Sequence, residues 1–390
     1  MSTSIASQHD LDAEESLRYS RQILLPEFGA AGQNRLKDAR VLVAGVGGLG
    51  SPVIQYLAAA GVGTIGMIDD DYVDSSNLQR QVIHSTSKVG MGKAESARLY
   101  IQDLNPLVAA IPLHKRLTPD NALEVISGFD AVIDGTDDFA TRYLISDACT
   151  ILAIPHVWGS VYQYEGQTAV FMTSADDESA PCLRDLYATP PPAHLAPSCA
   201  EGGVFGFVCA AIGVSMATET VKLLAGIGTA SLGYVRTYDA LAGEWGIFPI
   251  IRDPDRDPVR ALSDYEALCG ISHPPQSRLL SVDDVVDALS ESKTHTLVDI
   301  RETSETELGM LPGAINIPFS RPDLSSRIEE LARTGIVILY CEAGSRSHRA
   351  AVELAERGVS NLAELRGGMR AWRAHPASQI GMRSPLTPPG

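Results

Sequence analysis

The chain has 390 residues, of which 45% are hydrophobic, and a formal net charge of −17 at pH 7. This length and apolar content suffice for two globular domains. The negative charge argues against nucleic acid or an anionic membrane as a partner, although a local basic pocket could still hold a phosphate. No uninterrupted apolar run reaches the roughly 18 residues of a membrane span, and the N-terminus lacks signal-peptide order, so we expect a cytoplasmic protein.

The six cysteines are scattered, and no pair has the spacing of a metal clip. In the cytoplasm they should be reduced, so structural disulfides are not expected, and single thiols are candidates for reactive groups. Cys149 and Cys209 lie in apolar helical patterns, which predicts that they pack in the core.

Residues 40–50, RVLVAGVGGLG, predict a buried strand followed by a glycine turn, and a helical pattern then runs to Gly61. The strand TIGMIDDD follows and ends on acidic residues. Strand, glycine turn, helix and acidic strand end are typical of a doubly wound α/β nucleotide site. A later strand, within 129–138, ends on Asp134, Asp137 and Asp138, which should face the same crevice because ligands bind at the carboxyl ends of parallel strands.

The chain is predicted to divide into four parts. Residues 1–251 form the nucleotide domain, and the charged, proline-bearing stretch 252–278 is predicted to be a linker. Short strands and helices alternate over 279–376, which predicts a second, small α/β domain with a mainly parallel sheet. The tail 377–390 is predicted to be disordered.

The glycines alone suit NAD, FAD or ATP equally well. The segment after the second strand discriminates, because it carries Asn77, Arg80 and Lys93. Attack of a carboxylate on the α-phosphate of ATP builds charge that guanidinium, ammonium and a divalent cation can neutralise, whereas hydride transfer needs none of them. Singly, these residues could be a helix cap, a surface ion-pair partner and a solvated lysine. Together they favour adenylation, and a Rossmann oxidoreductase that binds NAD stays the alternative.

The stretches GVGGLGS, SNLQRQ and the upstream RYSRQILLPEFG, with the GxxK that ends at Lys93, resemble the MoeB/ThiF family of adenylating enzymes, relatives of ubiquitin-activating enzymes. The resemblance implies a Rossmann-like domain in which Gly48 lies against the phosphates of ATP and Asp69 takes the ribose hydroxyls. The ATP-binding residues that it implies are Gly45, Gly47, Gly48, Gly50, Asp69, Asp71, Ser76, Asn77, Leu78, Gln79, Arg80, Gln81, Lys93, Asp137 and Asp138.

The resemblance also implies a catalytic role for Arg80 and Lys93 at the phosphates and for Asp137 as the ligand of Mg²⁺. Arg21 resembles the arginine that family members send across a dimer interface, which implies a homodimer. One departure is that the family usually has Thr-Asp-Asn where this chain has an aspartate, Asp138, in third place. The change adds negative charge near the metal and leaves the role of Asp138 open.

Two cysteine neighbourhoods of the first domain differ in what the resemblance implies. Many relatives hold zinc with two C-x-x-C pairs, but here Cys182 is followed by Asp185 and the later region offers only Cys269, so we expect no zinc. Asp185 could instead close the local turn or pair with Arg184. Cys199 matches the position of a cysteine that can form a thioester or acyl disulfide with the activated carrier, and an inert thiol is the alternative.

In the second domain, the stretch ILYCEAGSRSHRA places Cys341 between a strand and a helix, with Arg346 in the loop. Converging loop N–H groups, the helix N-terminus and the guanidinium should stabilise a thiolate, which can carry sulfur as a persulfide. A phosphatase is the alternative, but only four residues separate Cys341 from Arg346, and this short loop favours the smaller sulfur atom. A fold that has lost its activity would not need the cysteine.

The stretches LVDIRETSETELGMLPGAINIPF, YCEAGSRS and LRGGMRAW resemble the rhodanese homology domain. A departure, Gly309-Met310 where relatives often have Gly-His, is remote from the thiol. Together the two resemblances imply that ATP is used to adenylate the Gly-Gly carboxylate of a small ubiquitin-like sulfur carrier. A persulfide on Cys341 would then convert the adenylate to a thiocarboxylate.

Several points stay open in this prediction. The sulfur donor could be thiosulfate or a cysteine desulfurase, and the product could serve molybdopterin, thiamin, cysteine or another sulfur-containing compound. The alternative function is a carrier-binding regulatory protein with an independent sulfurtransferase domain, because Asp138 departs from the family pattern and the zinc ligands are missing.

Overall fold

The computed structural model describes residues 10–172, 174, 180–191, 203–269, 278–290, 295–307 and 309–376. The chain divides into two compact units, Met1–Ile271 and Ser272–Gly390. Cys199 and the tail predicted to be disordered, 377–390, lie outside the described residues.

The first unit contains ten described helices and eight strands, with short 3₁₀ turns at Ser75–Asn77 and Thr86–Lys88. In chain order the elements are α1 (Ala13–Arg18), α2 (Ser20–Ile23), α3 (Gly29–Asp38), β1 (Arg40–Ala44), α4 (Gly50–Ala60), β2 (Thr64–Ile68), α5 (Lys93–Leu104), β3 (Ala109–Leu113), α6 (Ala122–Ile126), β4 (Ala131–Asp134), α7 (Phe139–Leu152), β5 (His156–Tyr162), β6 (Glu165–Phe171), α8 (Leu183–Leu186), α9 (Gly206–Ala225), β7 (Tyr234–Asp239), β8 (Glu244–Pro249) and α10 (Tyr265–Leu268).

The eight strands form one sheet in the order β3-β2-β1-β4-β5-β6-β7-β8. The pairs from β3 to β5 are parallel, and the pairs from β5 to β8 are antiparallel. The strand order reverses between β1 and β4, so the crevice of this doubly wound sheet opens at their carboxyl ends. The predicted fold class is confirmed.

The side chains of successive residues in β1 point to opposite faces of the sheet, because side chains alternate along a strand. Val41 and Val43 belong to the core cluster that includes residues of α4 and α9, whereas Leu42 and Ala44 belong to the cluster under α6 and α7. All four residues are 0% or 1% exposed, because helices cover both faces of a parallel sheet.

Helix α9 is long and apolar enough to cross a membrane. The sequence did not indicate this, because polar residues interrupt its apolar runs. In the structure it packs against α4, β5 and β6, and Val208, Ile212 and Met216 are buried in the core. It also buries Glu219, whose carboxylate accepts hydrogen bonds from the backbone N–H and the hydroxyl of Ser231. Its length and apolar content are therefore those of a core helix.

The stretch predicted to be a linker, 252–278, is corrected in part by the structure, because its described portion packs against the first unit. Tyr265 is 3% exposed, and its hydroxyl donates to Asp147 of α7 at 2.8 Å. The side chains of Arg256 and Asp185 form an ion pair at 2.9 Å and are only 8% and 0% exposed. The chain therefore stays with the first unit well beyond the predicted boundary.

Asp185 also closes the local turn, as predicted, because it accepts the N–H of Cys182 at 2.7 Å. Its cationic partner is Arg256, however, and the predicted partner Arg184 binds Asp147 through two hydrogen bonds of 2.9 and 2.7 Å. The ion pair of Asp185 with Arg256 thus joins the turn at residue 182 to the later segment. In the described parts of the chain, no group of three His, Cys, Asp or Glu side chains is arranged to hold a metal ion.

The second unit is a small α/β domain built on a five-stranded parallel sheet, in the order β11-β10-β12-β13-β9. Its described elements are β9 (Arg278–Leu280), α11 (Val282–Ser290), β10 (His295–Asp299), α12 (Thr303–Thr306), β11 (Ile315–Asn316), α13 (Leu324–Ala332), β12 (Ile336–Tyr340), α14 (Ser345–Glu356), β13 (Leu362–Leu365) and α15 (Gly368–Ala374). The central strand, β12, leads directly into Cys341.

We predict that Arg256→Met lowers the free energy of unfolding of the first unit by about 3 kcal/mol, because it leaves the buried Asp185 carboxylate without its cation. Urea unfolding can be followed by fluorescence in a Trp372→Phe background, where both remaining tryptophans belong to the first unit. Arg98→Met, which removes a partly exposed ion pair with Glu95, is the control and should change little. Equal losses in both variants would contradict the assignment.

Candidate active sites

A cleft of about 350 Å³ opens at the carboxyl ends of β1, β2 and β4. It is the point at which a doubly wound sheet binds its ligand. Ten of the residues predicted to bind ATP line it, namely Gly45, Gly47, Gly48, Asp69, Asp71, Arg80, Gln81, Lys93, Asp137 and Asp138.

The other five predicted residues, Gly50, Ser76, Asn77, Leu78 and Gln79, do not line the cleft. Gly50 begins α4, and a Cβ there would lie 2.0 Å from the carbonyl oxygen of Gly45, so the position has a packing role. Ser76 is held by Asp74 through its N–H and its hydroxyl. Asn77 is 6% exposed, and its Oδ1 has no hydrogen-bond donor in the described part of the chain.

Asp69, directly after β2, is fixed at the mouth of the glycine turn. Its carboxylate accepts the N–H of Val46 at 2.8 Å and the N–H of Asp71 at 2.8 Å. Burial raises the pKa of Asp69, and the positive charge of Lys93 opposes that rise. A carboxylate held in this way at the second strand can accept hydrogen bonds from ribose hydroxyls.

Lys93 is the first residue of α5 and is only 6% exposed. Its Nζ lies 2.8 Å from Oδ2 of Asp71, whose side chain is 56% exposed. The buried ammonium is thus held by a carboxylate that faces water, and an entering phosphate would compete for it. Arg80 approaches the same glycine turn, since its Cδ would lie 3.6 Å from a Cβ on Gly48.

His84 supports the glycine turn from behind. Its Nε2 lies 3.0 Å from the carbonyl oxygen of Val46, and its Nδ1 lies 2.8 Å from the hydroxyl of Ser96. Burial lowers the pKa of His84 to about 4, so the ring is neutral near pH 7. A neutral ring donates from Nε2 to the carbonyl and accepts from Ser96 at Nδ1.

Asp138, which departs from the family pattern, has a structural role at the end of a helix. It is the N-cap of α7, and its Oδ1 accepts the N–H of Thr141 at 2.8 Å. Asparagine and aspartate cap helices about equally well, so this residue satisfies the helix end and adds a charge. The pKa of Asp137 is raised, mainly because the surrounding protein removes water from its carboxylate and secondly because the negative charge of Asp138 is close.

Asp137 lines the cleft and is exposed to solvent, and its carboxylate has no hydrogen bond or ion pair among the described residues. In nucleotide sites Mg²⁺ is held by one or two carboxylates together with substrate phosphates rather than by a cage of protein ligands. The carboxylate of Asp137, beside the glycine turn, fits that arrangement.

Thirteen further residues line the cleft, and among them are three cations and a thiol that were not predicted to do so, namely Lys115, Arg116, Arg142 and Cys209. The first two follow β3, and their position beyond the carboxyl end of a parallel strand could have indicated them. Cys209 is buried, as predicted, but its Sγ would lie 2.9 Å from a Cβ on Gly48, so it also forms part of the cleft wall. Cys149 is 2% exposed, in the core position that was predicted.

Arg21 does not line the cleft of its own chain among the residues that the structure describes. It lies on α2 and is exposed. Exposed leucines flank it in the sequence, with Leu17 78%, Leu24 70% and Leu25 56% exposed.

The second site surrounds Cys341, which is 0% exposed at the end of β12. The N–H of Gly344 points at its Sγ at 3.1 Å, and the hydroxyl of Ser347 lies 3.7 Å from it. Gly344 has φ +100°, a left-handed conformation that glycine adopts without strain, and α14 begins at the next residue. Backbone N–H and hydroxyl donors directed at sulfur stabilise a thiolate.

Arg346 is anchored rather than free to turn. Its guanidinium binds Glu305 of α12 through two contacts of 2.6 Å, which lower the pKa of that carboxyl. Next to it, Arg301 is fully buried and pairs with Asp299 at 2.7 Å. Glu342, inside the loop, binds Arg301 and Arg373. The loop that presents Cys341 is therefore braced by the two ion pairs of Glu342, and the start of α14 by the pair of Arg346 with Glu305.

The sequence profile of the ThiF family matches residues 19–259, and that of the rhodanese-like domain matches residues 281–375. The chain belongs to the ThiF family. It is 44% identical to the "Probable adenylyltransferase/sulfurtransferase MoeZ" of Mycobacterium tuberculosis over 93% of this chain and 94% of that protein. It is 36% identical to "Adenylyltransferase and sulfurtransferase MOCS3" of Mus musculus over 95% of this chain and 88% of that protein.

A third relative, the "Sulfur carrier protein adenylyltransferase" of Thermus thermophilus, is 47% identical over 66% of this chain and 98% of its own length. Among solved structures, E. coli MccB with ATP superposes with a TM-score of 0.56 at 21% identity, over 64% of this chain and 76% of that one. The last comparison shows the fold alone. The relatives with both domains show that this enzyme is a transferase with adenylyltransferase and sulfurtransferase activity.

We predict that Asp138→Asn moves the acid limb of the adenylation rate to lower pH. The substitution keeps the helix cap but removes one of the charges that raise the pKa of Asp137, so Asp137 stays ionised to lower pH. The rate should be measured from pH 5 to 8 at subsaturating Mg²⁺.

Asp138→Ala, which removes both the charge and the cap, controls for loosening of the helix end. An acid limb that stays in place, or moves to higher pH, in Asp138→Asn would contradict the assignment.

Proposed function

We propose that this enzyme uses ATP to adenylate the Gly-Gly carboxylate of a small ubiquitin-like sulfur carrier and then converts the adenylate to a thiocarboxylate. The observation that carries the proposal is the cleft that gathers Arg80, Lys93 and Asp137 around the glycine turn, in the same chain as the Cys341 loop. The name of the Thermus thermophilus relative supports a sulfur carrier as the substrate.

In the first step the carrier carboxylate attacks the α-phosphorus of ATP. A carboxyl oxygen to phosphorus bond forms, the bond to the β-phosphate oxygen breaks, and pyrophosphate leaves. Lys93 and Arg80 would neutralise the charge that grows on the phosphoryl oxygens, and Lys93 would leave Asp71 to do so. Mg²⁺, held by Asp137 and the phosphates, would supply further charge neutralisation.

In the second step the terminal sulfur of a Cys341 persulfide attacks the carbonyl carbon of the adenylate. A carbon to sulfur bond forms and AMP leaves, so that the carrier is joined to Cys341 as an acyl disulfide. A second thiol then attacks the Cys341 sulfur, which forms a new disulfide and releases the thiocarboxylate. Cys199 is the candidate for that thiol, and it lies outside the described residues.

The proposal includes a cytoplasmic location and a sulfur donor that is either thiosulfate or a cysteine desulfurase. The thiocarboxylate would supply sulfur for molybdopterin, thiamin, cysteine or another sulfur-containing product. A homodimer is part of the proposal, with Arg21 entering the cleft of the partner. The exposed position of Arg21 among the exposed Leu17, Leu24 and Leu25 supports this.

The proposal predicts that candidate carriers gain the mass of one oxygen replaced by one sulfur when incubated with the enzyme, Mg-ATP and thiosulfate. Intact-mass spectrometry measures this, and the gain should vanish with Cys341→Ala. A Cys341→Ala enzyme should still exchange pyrophosphate into ATP with the carrier present, because Lys93 and Arg80 are untouched.

Three other results would be decisive. Persulfide on Cys341 without any carrier product would favour an independent sulfurtransferase beside a regulatory carrier-binding domain. NAD binding in place of ATP binding would favour an oxidoreductase. Loss of pyrophosphate exchange in Cys341→Ala would contradict the division of labour between the units.

The dimer prediction can be tested with two inactive variants, Arg21→Ala and Lys93→Met. After subunit exchange, half of the dimers in an equimolar mixture contain one subunit of each variant. If Arg21 acts across the interface, each of these mixed dimers has one intact site of its two, so the mixture should recover about a quarter of the wild-type adenylation rate. Each variant alone, taken through the same subunit-exchange treatment, is the control. No recovery, despite mixed dimers seen by native mass spectrometry, would place Arg21 in its own subunit's site.

A further inference from the structure

A buried carboxylate and a buried imidazole lie behind the loop that carries Asp137. Asp134 is the last residue of β4 and His156 is the first residue of β5. Oδ2 of Asp134 lies 3.4 Å from Nε2 of His156, and the side chains are 0% and 2% exposed. The two parallel strands pair Val132 with His156 and Asp134 with Trp158, which places Asp134 and His156 on one face of the sheet.

The other oxygen of Asp134 holds the loop. Oδ1 accepts the N–H of Thr136 at 3.0 Å and its hydroxyl at 2.6 Å. On the far side, the carbonyl of Thr136 accepts two hydrogen bonds from Arg142, at 3.3 and 3.0 Å. Thr136 is thus fixed from both sides, and Asp137 is the next residue.

Among the contacts of His156 in the described structure, the one with Asp134 accounts for a histidine at this position. Its ring packs against Phe171, with 5.6 Å between ring centroids, and neither ring nitrogen has a hydrogen-bond partner in the described parts of the chain. Burying polar nitrogens without partners costs free energy that an apolar side chain of this size would not cost. Oδ2 of Asp134 likewise has no hydrogen-bond donor there, and the contact between the two groups is the 3.4 Å approach of Nε2 to Oδ2, an ion-pair distance.

We propose that His156 is a positioning residue for the adenylation site. It supports Asp134 from behind, Asp134 holds Thr136, and Thr136 sets the direction of Asp137. Without the imidazole, Oδ2 of Asp134 would lose its contact with Nε2 in an interior where both side chains are almost fully buried. The effect on activity rests on the proposed metal role of Asp137, whereas the effect on the loop does not.

The first readout is hydrogen exchange of the full-length enzyme without nucleotide or metal, followed by mass spectrometry on peptides that cover 133–139. His156→Leu should speed exchange of the Thr136 amide by about fivefold or more, because that N–H donates to Asp134. His156→Gln, whose amide nitrogen can take the place of Nε2 beside Oδ2 of Asp134, should restore slow exchange. Phe171→Leu loosens the packing around the ring without removing the donor, and it should leave this amide protected.

The second readout is the apparent KM for Mg²⁺ in carrier-dependent pyrophosphate exchange. It should rise about tenfold in His156→Leu with a smaller change in kcat, as when a group that orients a metal ligand is lost. His156→Gln should recover most of it. Thiosulfate to cyanide sulfur transfer by Cys341 should stay unchanged in all three variants, because Cys341 belongs to the second unit and the substitutions to the first.

Unchanged exchange at Thr136 in His156→Leu, or equal effects in Phe171→Leu, would overturn the proposal. Faster exchange with an unchanged KM for Mg²⁺ would support the positioning of the loop by His156, and would instead overturn the metal role of Asp137 in the proposed function.

Discussion

The close approach of two backbone turns, after β1 and after β4, is the constraint on which the first site depends. Gly45 has φ +84°, and a Cβ there would lie 2.9 Å from the carbonyl oxygen of Gly135. Because the turns touch without side chains between them, the glycine turn and the loop that carries Asp137 border one cleft. A negatively charged chain can therefore hold nucleotide phosphates in a local site of backbone N–H groups and a few cations.

Both sites place their cations by means of carboxylates. Lys93 is held by Asp71 in the first unit, and Arg346 is held by Glu305 in the second. Arg346 is thereby oriented before a substrate arrives and loses less freedom on binding, whereas Lys93 would exchange Asp71 for a phosphate. The same logic extends behind the first site, where Asp134 holds Thr136 at 2.6 Å.

Most of the first site was predictable because its residues are neighbours in motifs, and a motif keeps its geometry wherever a strand, turn and helix follow one another. Lys115, Arg116 and Cys209 were missed because they enter the cleft from other elements, β3 and α9. The end of the first domain was predicted too early because charge and proline content indicate a linker. Packing decides the matter, since Tyr265 is 3% exposed.

The sequence by itself determined the two α/β units, the glycine turn, the loop that presents Cys341 and the family, because strand periodicity, glycines and short motifs are local properties. Only the tertiary structure decided which carboxylate each cation meets, that Asp138 caps a helix, and that His156 lies behind Asp134. These contacts join residues from different elements, and their partners depend on strand order and helix packing. No local pattern encodes such distances.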